Sequence, residues 1–414
     1  MCGEANVVAV VAGPHVLILL ENEPYPYDRR VSQEAQALTR AGFRVTVAAP
    51  HGPEQSAAEV GEGGVRVLRF AGSPDRTGMT GYLREYGAAM RGLWRIARRL
   101  EREDPPDVVM AANPPDFLLA IAEPARRRGA RLVFDHHDLS PELFEEKFGR
   151  RGPLHRLLLA AERYAFRRAD VVLSSNEAFA EIARERGGVP ADRVFVVRNG
   201  PDDGRIHAVP PRPELRGGRE HLVLWMGRMS AQEGLEQMVD VAELLTRRGR
   251  DDITFAAVGP GDARAGLTAE VRARGLADRF VLPGRVDDDL VRAYLSTAAV
   301  CLSLDRSSPM NDRSTMIKVL EYMAAGRAIV QTPLPEMRRV CGDTTAWASG
   351  PGSVADAITA LLDDPAEARR LGTAARARIE DGLLWSDQVP RLVEALNAAL
   401  RSRRSPTGGS AGSP

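Results

Sequence analysis

Short runs of β-branched and aliphatic residues alternate with segments of helical periodicity along nearly the whole chain. In the first half the predicted strands are HVLILL, FRVTVAAP, VRVLRF, DVVMAA, RLVFD, ADVVLSS and VFVVRN. After the first strand, Val31, Ala35 and Leu38 have the spacing of one apolar helix face, and Gly42 closes that helix. Regular alternation of strands and helices is typical of parallel sheets built from strand-helix-strand units. The pattern therefore predicts an α/β protein.

One break interrupts this alternation, between Gly200 and Glu220, where Pro, Gly, Asp and Arg are dense and no apolar period is present. Such a composition is typical of a linker. A second series of strands follows, with the sequences HLVLWMG, ITFAAVG, FVLPG, AVCLSL and AIVQT. We therefore predict two tandem doubly wound, Rossmann-like domains, over residues 1–203 and 204–385, that face a central cleft.

The C-terminal end of the chain comes after the second sheet is complete. Residues 386–401 have helical periodicity, and this helix is expected to pack elsewhere, with the first domain as one candidate. Residues 402–414 are rich in Ser, Gly and Pro, which predicts a disordered tail.

Length and charge narrow the classes of partner. A chain of 414 residues is long enough for two domains that each bury a core. Lys and Arg together number 56, as do Asp and Glu, so no net field draws the protein to nucleic acid. We predict no nucleic-acid partner, and any anionic ligand must be bound by local groups.

The cysteines and the N-terminal stretch bear on location. Cys2, Cys301 and Cys341 are widely spaced and odd in number, which supports neither a disulfide framework nor a zinc cluster. A reducing cytoplasm fits best. The apolar stretch over residues 7–20 is interrupted by Gly-Pro-His and lacks a basic leader, so it predicts a first strand in a soluble protein.

Ligands of doubly wound sheets bind at the carboxyl ends of strands, so the residues just after each strand are candidates. These segments are ENEPYPYDRR, NPPD, HHD, RNGPD, MGRMSAQEG, GPGD and LPGRV. Arg228 follows a strand and a glycine, where a guanidinium can hold phosphate oxygens and stabilise a leaving diphosphate without a metal. An ordinary surface arginine is the alternative. Gly259 and the LPGR turn are positions where backbone can approach a ligand closely.

The segment RSSPMNDRSTMIKVLEYMAAGRAIV combines a polar loop with a helix. Ser314 and Thr315 are good N-cap residues, and the helix is predicted to run through Lys318 and Glu321 to a C-cap at Gly326. The N-terminus of such a helix suits a diphosphate, and Glu321 can accept two hydrogen bonds from a ribose diol. A capped helix with a surface glutamate is the alternative.

The order strand-Gly-Arg, strand-Gly-Pro-Gly, VLPGRV and KVLEYMAAGRAIV resembles the family 4 retaining glycosyltransferases, which have the two-domain GT-B architecture. DRRVSQEAQALTRAGFRVTVAAP, RADVVLSSNEAFAEIA and VVRNGPD resemble the first half of that family. The resemblance covers nearly the whole chain and implies transfer of a sugar from a nucleotide donor. It implies a donor site of Gly227, Arg228, Glu233, Gly259, Arg285, Val286, Ser314, Thr315, Met316, Lys318 and Glu321.

Two positions depart from the family pattern. Arg313 stands where the first of a pair of glutamates is often found, and Glu233 stands where a lysine often follows the Gly-Arg pair. Both replacements resemble a bacterial surface-polysaccharide branch with a Gln-acidic-Gly turn. They leave the phosphate site short of one cation, for which Lys318 and Arg313 are the candidates.

The segment FDHHD resembles the family's Asp-x-His-Asp, in which the histidine contacts the donor sugar or the acceptor. The matching residue is His137, with Asp138 or Glu142 as candidates to orient it. His136 is expected to be structural, and a buried pair without a role in transfer is the alternative. The predicted catalytic residues are His137, Asp138 and Arg228, and the predicted acceptor residues are Tyr27, Asp28, Arg29, Asn113 and Glu142.

Two sequence patterns bear on metal binding and on membrane contact. No Asp-x-Asp signature follows a strand, so we predict neither a metal nor a cofactor beyond the nucleotide sugar, and Asp287 to Asp289 are expected to cap a helix. Five arginines lie on one face of a predicted helix, which is typical either of a solvated face or of an interfacial helix on anionic lipids. They are Arg91, Arg95, Arg98, Arg99 and Arg102.

The leading prediction is a cytoplasmic retaining glycosyltransferase that uses a nucleotide-diphosphate donor. Backbone atoms of Arg285 and Val286 suit a pyrimidine edge, which favours UDP. The sequence offers no clear nucleophile, which favours front-face attack. A polysaccharide end, a lipid-linked sugar and a natural product stay open as acceptors, and peripheral membrane association stays open with them. A nucleotide-sugar epimerase or hydrolase and a non-catalytic partner subunit are alternatives, whereas the lack of G-x-G-x-x-G disfavours an oxidoreductase.

Overall fold

Two β-sheets organise the computed structural model, which describes residues 13–52, 55–71, 78–149, 151–202, 204–230 and 233–402. Each sheet belongs to its own compact unit. The first unit holds the chain up to Val197 together with the residues from Val389 onward, and the second holds Arg198–Gln388. The predicted fold class of two α/β domains with parallel sheets is confirmed. The predicted tail lies, beyond Ser402, outside the described residues.

The first sheet has the strand order β3-β4-β2-β1-β5-β6-β7-β8. Its strands are β1 (His15–Leu19), β2 (Arg44–Pro50), β3 (Ala58–Val60), β4 (Arg66–Phe70), β5 (Val108–Ala112), β6 (Arg131–His136), β7 (Val171–Ser174) and β8 (Val194–Val196). Its helices are α1 (Arg29–Arg40), α2 (Gly78–Glu103), α3 (Glu123–Arg127), α4 (Ser140–Phe148), α5 (Pro153–Arg168) and α6 (Glu177–Glu185).

All pairs in this sheet are parallel except that of β3 with β4. β3 is an exposed antiparallel edge strand of three residues, which the sequence pattern did not predict because it is too short to show a period. In contrast, every residue of β1 and β5 is buried, as in parallel strands covered by helices on both faces. The register pairs Leu19 with Ala111 and Ala112 with Asp135, so the loops after β1, β5 and β6 leave at one edge.

The second sheet is entirely parallel, with the order β11-β10-β9-β12-β13-β14. Its strands are β9 (His221–Met226), β10 (Ile253–Val258), β11 (Phe280–Gly284), β12 (Val300–Ser303), β13 (Ala328–Gln331) and β14 (Ala346–Trp347). The helices that follow are α7 (Leu235–Arg247), α8 (Arg264–Ala273), α9 (Asp288–Thr297), α10 (Ile317–Ala324), α11 (Pro335–Cys341), α12 (Pro351–Asp363), α13 (Pro365–Glu380) and α14 (Trp385–Arg401). Only the two-residue β14 was absent from the prediction for this sheet.

The segment predicted as a linker packs on the second unit instead of standing free. Ile206 is fully buried in a core cluster with Leu222 and Leu224. The backbone amide of Val209 donates to Ser296 Oγ at 3.0 Å, so backbone groups of the segment are bonded to α9. The sequence did not predict this packing, because a single buried isoleucine produces no apolar periodicity.

Candidate functional site

Two glycines mark the carboxyl ends of β9 and β10. The register pairs Met226 with Val258 and Val258 with Gly284, so the residues that follow the three strands leave the sheet at one level. Gly227 donates its N–H to the Val258 carbonyl at 3.0 Å, and Gly259 donates to the Gly284 carbonyl at 2.9 Å. Gly227 and Gly259 have φ of 154° and 142°. A Cβ on Gly259 would lie 1.8 Å from the Gly227 carbonyl oxygen, so only glycine fits there.

Lys318 of α10 is buried, and its Cδ would lie 3.9 Å from a Cβ placed on Gly227. Its Nζ lies 2.7 Å from Asp305 Oδ1, also bonds Glu233, and lies 5.4 Å from the centre of the Trp225 ring. Burial lowers the pKa of Lys318, but Asp305 and Glu233 together raise it by more. The pKa of Lys318 is therefore above the ordinary lysine value. The predicted donor residues Glu233 and Lys318 are therefore one ion-paired group. Asp305, which the sequence analysis missed, belongs to it.

Glu321 lies almost one turn further along α10 and is also buried and paired. Its Oε1 accepts from Arg205 Nη1 at 2.6 Å, and Arg205 reaches Asp288 at the start of α9 at 2.8 Å. The residue predicted to bind a ribose diol is therefore held in place by a guanidinium. Arg205 lies in the segment that was predicted to be a linker, which is why its role was not foreseen.

The start of α10 differs from the prediction. Its N-cap is Met316, whose side chain makes no capping hydrogen bond. Ser314 and Thr315 do not cap the helix because their hydroxyls bond elsewhere, to the Met310 carbonyl at 2.9 Å and to Glu336 at 3.2 Å. At the other end, the C-cap is Ala325 and not Gly326, which follows it in a left-handed conformation.

Glu336 is a further carboxylate beside Thr315 that the sequence analysis missed. It is almost fully buried, and burial raises its pKa although Arg198 and Arg339 counteract this. Arg198 Nη1 lies 3.2 Å from its Oε1. Two guanidiniums therefore offset the negative charge that Glu336 places near α10.

The remaining predicted donor residues lie on the surface of the second unit. Arg228 and Arg285 are exposed, and Val286 is half-buried. Arg313 donates to the Pro309 carbonyl at 2.8 Å. Asp287 caps α9, where it accepts from Leu290 N at 2.8 Å, which confirms its predicted capping role.

In the first unit, His137 follows β6 and is bonded to a buried carboxylate. Its Nδ1 lies 2.8 Å from Asp135 Oδ2, so Asp135 orients the ring. Asp138 and Glu142 were the candidates for this role. Glu142 instead accepts from Arg186 at 2.5 Å. The signal for Asp135 was present in the sequence, since it is the first aspartate of FDHHD and alternation places it on the same side of the chain as His137.

Asn113 fixes the loop that carries His137. Its Oδ1 accepts the backbone N–H of His137 at 2.9 Å and that of Asp138 at 3.1 Å, and its Nδ2 donates to the Asp138 carbonyl at 2.7 Å. The same Nδ2 donates to Asp116 Oδ1 at 2.7 Å, and burial raises the pKa of Asp116 to about 6. Asn113 was predicted to contact the acceptor, and its side chain holds the backbone of His137 and Asp138 in place.

His136 is fully buried among aromatic rings, with ring centroids at 5.0 Å from Phe166 and 5.4 Å from Phe179. Its Nε2 lies 3.7 Å from Glu162, which is also fully buried. The His137 side chain is 10% exposed, so it is slightly more accessible than that of His136.

The three predicted acceptor residues around position 28 lie at the start of α1. Asp28 caps that helix by accepting from Val31 N at 2.9 Å, whereas Tyr27 and Arg29 are exposed. The predicted acceptor residues all belong to the first unit, and the predicted donor residues all belong to the second.

Among the described residues, one group of side chains has the composition of a metal site. Glu220, His221 and Asp252 offer ligand atoms within 4.8 Å of one another. They lie at the amino ends of β9 and β10, the opposite ends from Gly227 and Gly259. This group is therefore separate from the glycine site. Asp252 is also paired with Arg250 at 2.9 Å.

Comparison with known proteins assigns a domain type to each half. Residues 27–200 match the family model described as glycosyl transferase 4-like domain, and residues 220–364 match that described as glycosyl transferases group 1. The alpha-D-kanosaminyltransferase of Streptomyces kanamyceticus is 30% identical over 215 residues, which are 50% of this chain and 54% of that protein. A glycogen synthase of Mycobacterium tuberculosis is 28% identical over 401 residues, 91% and 92% of the two chains. The match thus spans about half the length of the Streptomyces protein.

Solved structures agree on the fold. A sucrose-phosphate synthase from Thermosynechococcus elongatus has a TM-score of 0.76 at 18% identity, over 93% of this chain and 98% of that one. The Anabaena protein HepE, solved in complex with UDP-glucose, has a TM-score of 0.71 at 16% identity, over 92% and 99%. Both likenesses bear on the two-sheet architecture alone.

Proposed function

The chain belongs to the glycosyltransferases that join a 4-like domain to a group 1 domain, and on that premise we propose that it transfers a sugar from a nucleotide-diphosphate donor to an acceptor, with retention of configuration. The observation that carries the proposal is the close approach of Gly227 and Gly259 beside buried Lys318. Backbone without side chains, next to a cation and the start of a helix, suits a diphosphate. Glu321, on the same helix, suits the ribose of the same ligand.

UDP is the proposed nucleotide. The backbone of Arg285 and Val286 follows β11 at the level of Gly259, and such a turn can pair with a pyrimidine edge. Calorimetry with UDP, GDP, ADP and dTDP tests this, with UDP expected to bind most tightly. A preference for a purine diphosphate would refute the UDP assignment, and no binding by any of the four would refute the donor site.

A small natural product is the proposed acceptor. Two similar Streptomyces proteins are named for 2-deoxystreptamine, at 29% identity over 51% and 59% of this chain. Incubation of the protein and its UDP-sugar with 2-deoxystreptamine, with a maltooligosaccharide and with a lipid-linked sugar separates the three classes. A product formed only from the maltooligosaccharide would refute this acceptor assignment and favour the glycogen synthase activity named for the M. tuberculosis relative.

The stereochemistry and the reaction type have their own readouts. NMR of the first-formed product gives the anomeric configuration, and retention is expected. The same reaction without an acceptor separates transfer from hydrolysis and epimerisation. Fast release of free sugar or of an epimerised nucleotide sugar in that control would contradict a transferase.

We propose that transfer requires no divalent cation. Arg228 lies directly after Gly227 and is exposed, and a guanidinium can stabilise a leaving diphosphate. A chelator should therefore leave the initial rate unchanged. A loss of rate that added Mg²⁺ or Mn²⁺ restores would overturn the proposal.

We also propose a cytoplasmic location with peripheral contact to an anionic membrane through α2. No described helix combines the length and the apolar character needed to cross a bilayer. On α2, Trp94 is 48% exposed and lies 5.7 Å from the guanidinium carbon of Arg98. Arg91, Arg95 and Arg102 are exposed on the same helix. An exposed indole beside several arginines suits the interface of an anionic bilayer.

Vesicle sedimentation tests this contact. The protein should sediment with vesicles that contain phosphatidylglycerol and not with pure phosphatidylcholine, and Trp94→Ala with Arg95→Glu should abolish the difference. Arg247→Glu, on an exposed arginine of the second unit, is the matched control. Equal sedimentation of the protein with both vesicle types would refute the contact.

A further inference from the structure

Two carboxylates share one buried ammonium group in the second unit. Lys318 Nζ lies 2.7 Å from Asp305 Oδ1 and also bonds Glu233 Oε2. The Lys318 side chain is 8% exposed, and the centre of the Trp225 ring lies 5.4 Å from the same Nζ. The ammonium group is therefore largely enclosed. A further anion gains full contact with it when one of these neighbours moves away.

Glu233 is the carboxylate that can move away. Asp305 is 2% exposed and accepts a second hydrogen bond, from Ser303 Oγ. The Glu233 side chain is 18% exposed. A glutamate has several rotatable bonds between its backbone and its carboxylate, so a change of rotamer is enough to release Lys318.

The backbone on the C-terminal side of Glu233 is closely packed. Gly234 forms the N-cap of α7 with φ of 67°. A Cβ on Gly234 would collide with the carbonyl oxygen of Leu304, the residue before Asp305. Gln237 Nε2 donates to the same carbonyl at 3.2 Å. The segment of Glu233 is therefore fixed beside that of Asp305, and release of the Glu233 carboxylate is a side-chain rotation.

The charges of this group leave an excess of negative charge. One ammonium group faces two carboxylates, so one negative charge is left over when all three are ionised. Burial and Asp305 raise the pKa of Glu233, although Lys318 lowers it. A diphosphate beside Lys318 would meet the same burial and the same Asp305. Since like charges repel at close range, a diphosphate and an ionised Glu233 exclude each other from the ammonium group.

Lys318 belongs to the proposed diphosphate site, because its Cδ would lie 3.9 Å from a Cβ on Gly227. We propose that Glu233 is a built-in competitor of the donor, whose carboxylate occupies Lys318 in the free protein and is displaced by the diphosphate through a side-chain rotation. This rests on the proposed function, since it requires a diphosphate at Lys318. Glu233, which was predicted to bind the donor, then acts against donor binding. Asp305 stays on Lys318 in both states and compensates its charge.

The first test is calorimetry with UDP on Glu233→Gln. The amide has the shape of the carboxylate without its charge, and Asp305 still pairs with Lys318, so this variant should fold normally, which a melting curve checks. We expect UDP to bind at least about 10-fold more tightly, the lower end of the effect of a hydrogen bond to a charged group. A merely structural role of Glu233 would weaken UDP binding or leave it unchanged.

Glu236→Gln is the matched control. Glu236 lies in the first turn of α7 and pairs with Arg306 instead of Lys318. This variant removes the same charge a few residues away, so UDP affinity should hardly change. Uridine, which has no phosphate, should bind the unmodified protein and Glu233→Gln equally. An equal gain for UDP in both variants would show an effect of net charge alone and overturn the proposal.

A crystal structure of the unmodified protein with UDP is the second test. A phosphate oxygen should lie within hydrogen-bond distance of Lys318 Nζ, with the Glu233 carboxylate rotated away and Asp305 in place. A complex in which Glu233 remains on Lys318 would refute the displacement.

The two proposals fail in different ways. UDP binding by the unmodified protein that Glu233→Gln leaves unchanged or weakens would overturn the role of Glu233 and leave the proposed donor site standing. If another nucleotide binds most tightly, it takes the place of UDP in the same comparison. No binding of UDP, GDP, ADP or dTDP by either protein would overturn the proposed donor site, and the role of Glu233 would fall with it.

Discussion

Lys318 and Asp305 form a buried ion pair in which Nζ lies 2.7 Å from Oδ1 and the two side chains are 8% and 2% exposed. Lys318 belongs to α10, and Asp305 lies two residues after β12. The pair therefore ties the helix that is proposed to bind the diphosphate to the end of a central strand. Stability of the second unit and the geometry of its proposed donor site depend on the same contact.

Replacing Lys318 should cost much stability. Lys318→Met leaves the buried Asp305 and the half-buried Glu233 without their cation. Breaking a buried pair in this way costs about 3–5 kcal/mol. Urea denaturation measures the change. Arg306→Met is the matched control, because its pair with Glu236 is exposed and is worth about 0–1 kcal/mol. Equal losses in the two variants would contradict a structural role for the Lys318 pair.

Glu321→Gln should weaken UDP binding. A hydrogen bond to a charged group contributes about 1.5–3 kcal/mol, which corresponds to roughly 10- to 150-fold in Kd. Calorimetry gives the value. Asp288→Asn is the control, since Asp288 pairs with the same Arg205 but is largely exposed. If Asp288→Asn weakens UDP binding as much as Glu321→Gln does, the effect acts through Arg205 and Glu321 does not bind ribose.

Gly259→Ala should disrupt the end of β10. Its Cβ would lie 1.8 Å from the Gly227 carbonyl oxygen, and φ is 142°, so the backbone must move. We expect a lower melting temperature and no measurable UDP binding. Gly266→Ala, inside α8 with open space around its Cβ, should instead raise stability by about 0.5–1 kcal/mol. Normal UDP binding by Gly259→Ala would exclude a ligand at this turn.

Asp116 should make stability depend on pH. Burial raises its pKa from 3.8 to about 6, so its contribution is full below the unfolded pKa and is lost as pH rises through about 6. Asp116→Asn cannot ionise and keeps an oxygen for the Asn113 bond. The stability of this variant relative to the unmodified protein should therefore increase by about 2.4 kcal/mol from pH 4 to pH 7. Urea titrations at both pH values measure it, and a difference that stays constant would contradict the assignment.

The fold was largely predictable because each central strand is a run of apolar residues bounded by turn residues. β1, β6 and β9 were located from such runs, whereas β3 (Ala58–Val60) and β14 (Ala346–Trp347) are too short to carry a period. The segment predicted as a linker joins β8 to β9, but its packing through Ile206 on the second sheet was not foreseen, because one buried residue leaves no periodic trace in the sequence.

The candidate site was predictable only in part. Lys318 and Glu321 stand out because they share a short motif. Their partners do not, since Arg205, for example, is 116 positions from Glu321. A single sequence gives no means of pairing residues at such separations, and their pairing is set by the order of the strands. Ser314 and Thr315 were misassigned as caps for a related reason, because Glu336 competes for the Thr315 hydroxyl.

The return of the chain to the first unit has a consequence for protein engineering. Leu392, Leu396 and Ala399 of α14 are fully buried, and they belong to the same unit as the residues up to Val197. A chimera that replaces everything after residue 197 would bring in a foreign helix face against the resident core. Exchange of the second unit between related enzymes therefore needs two crossovers, near residues 198 and 389, so that α14 from Val389 onward stays with its own parent.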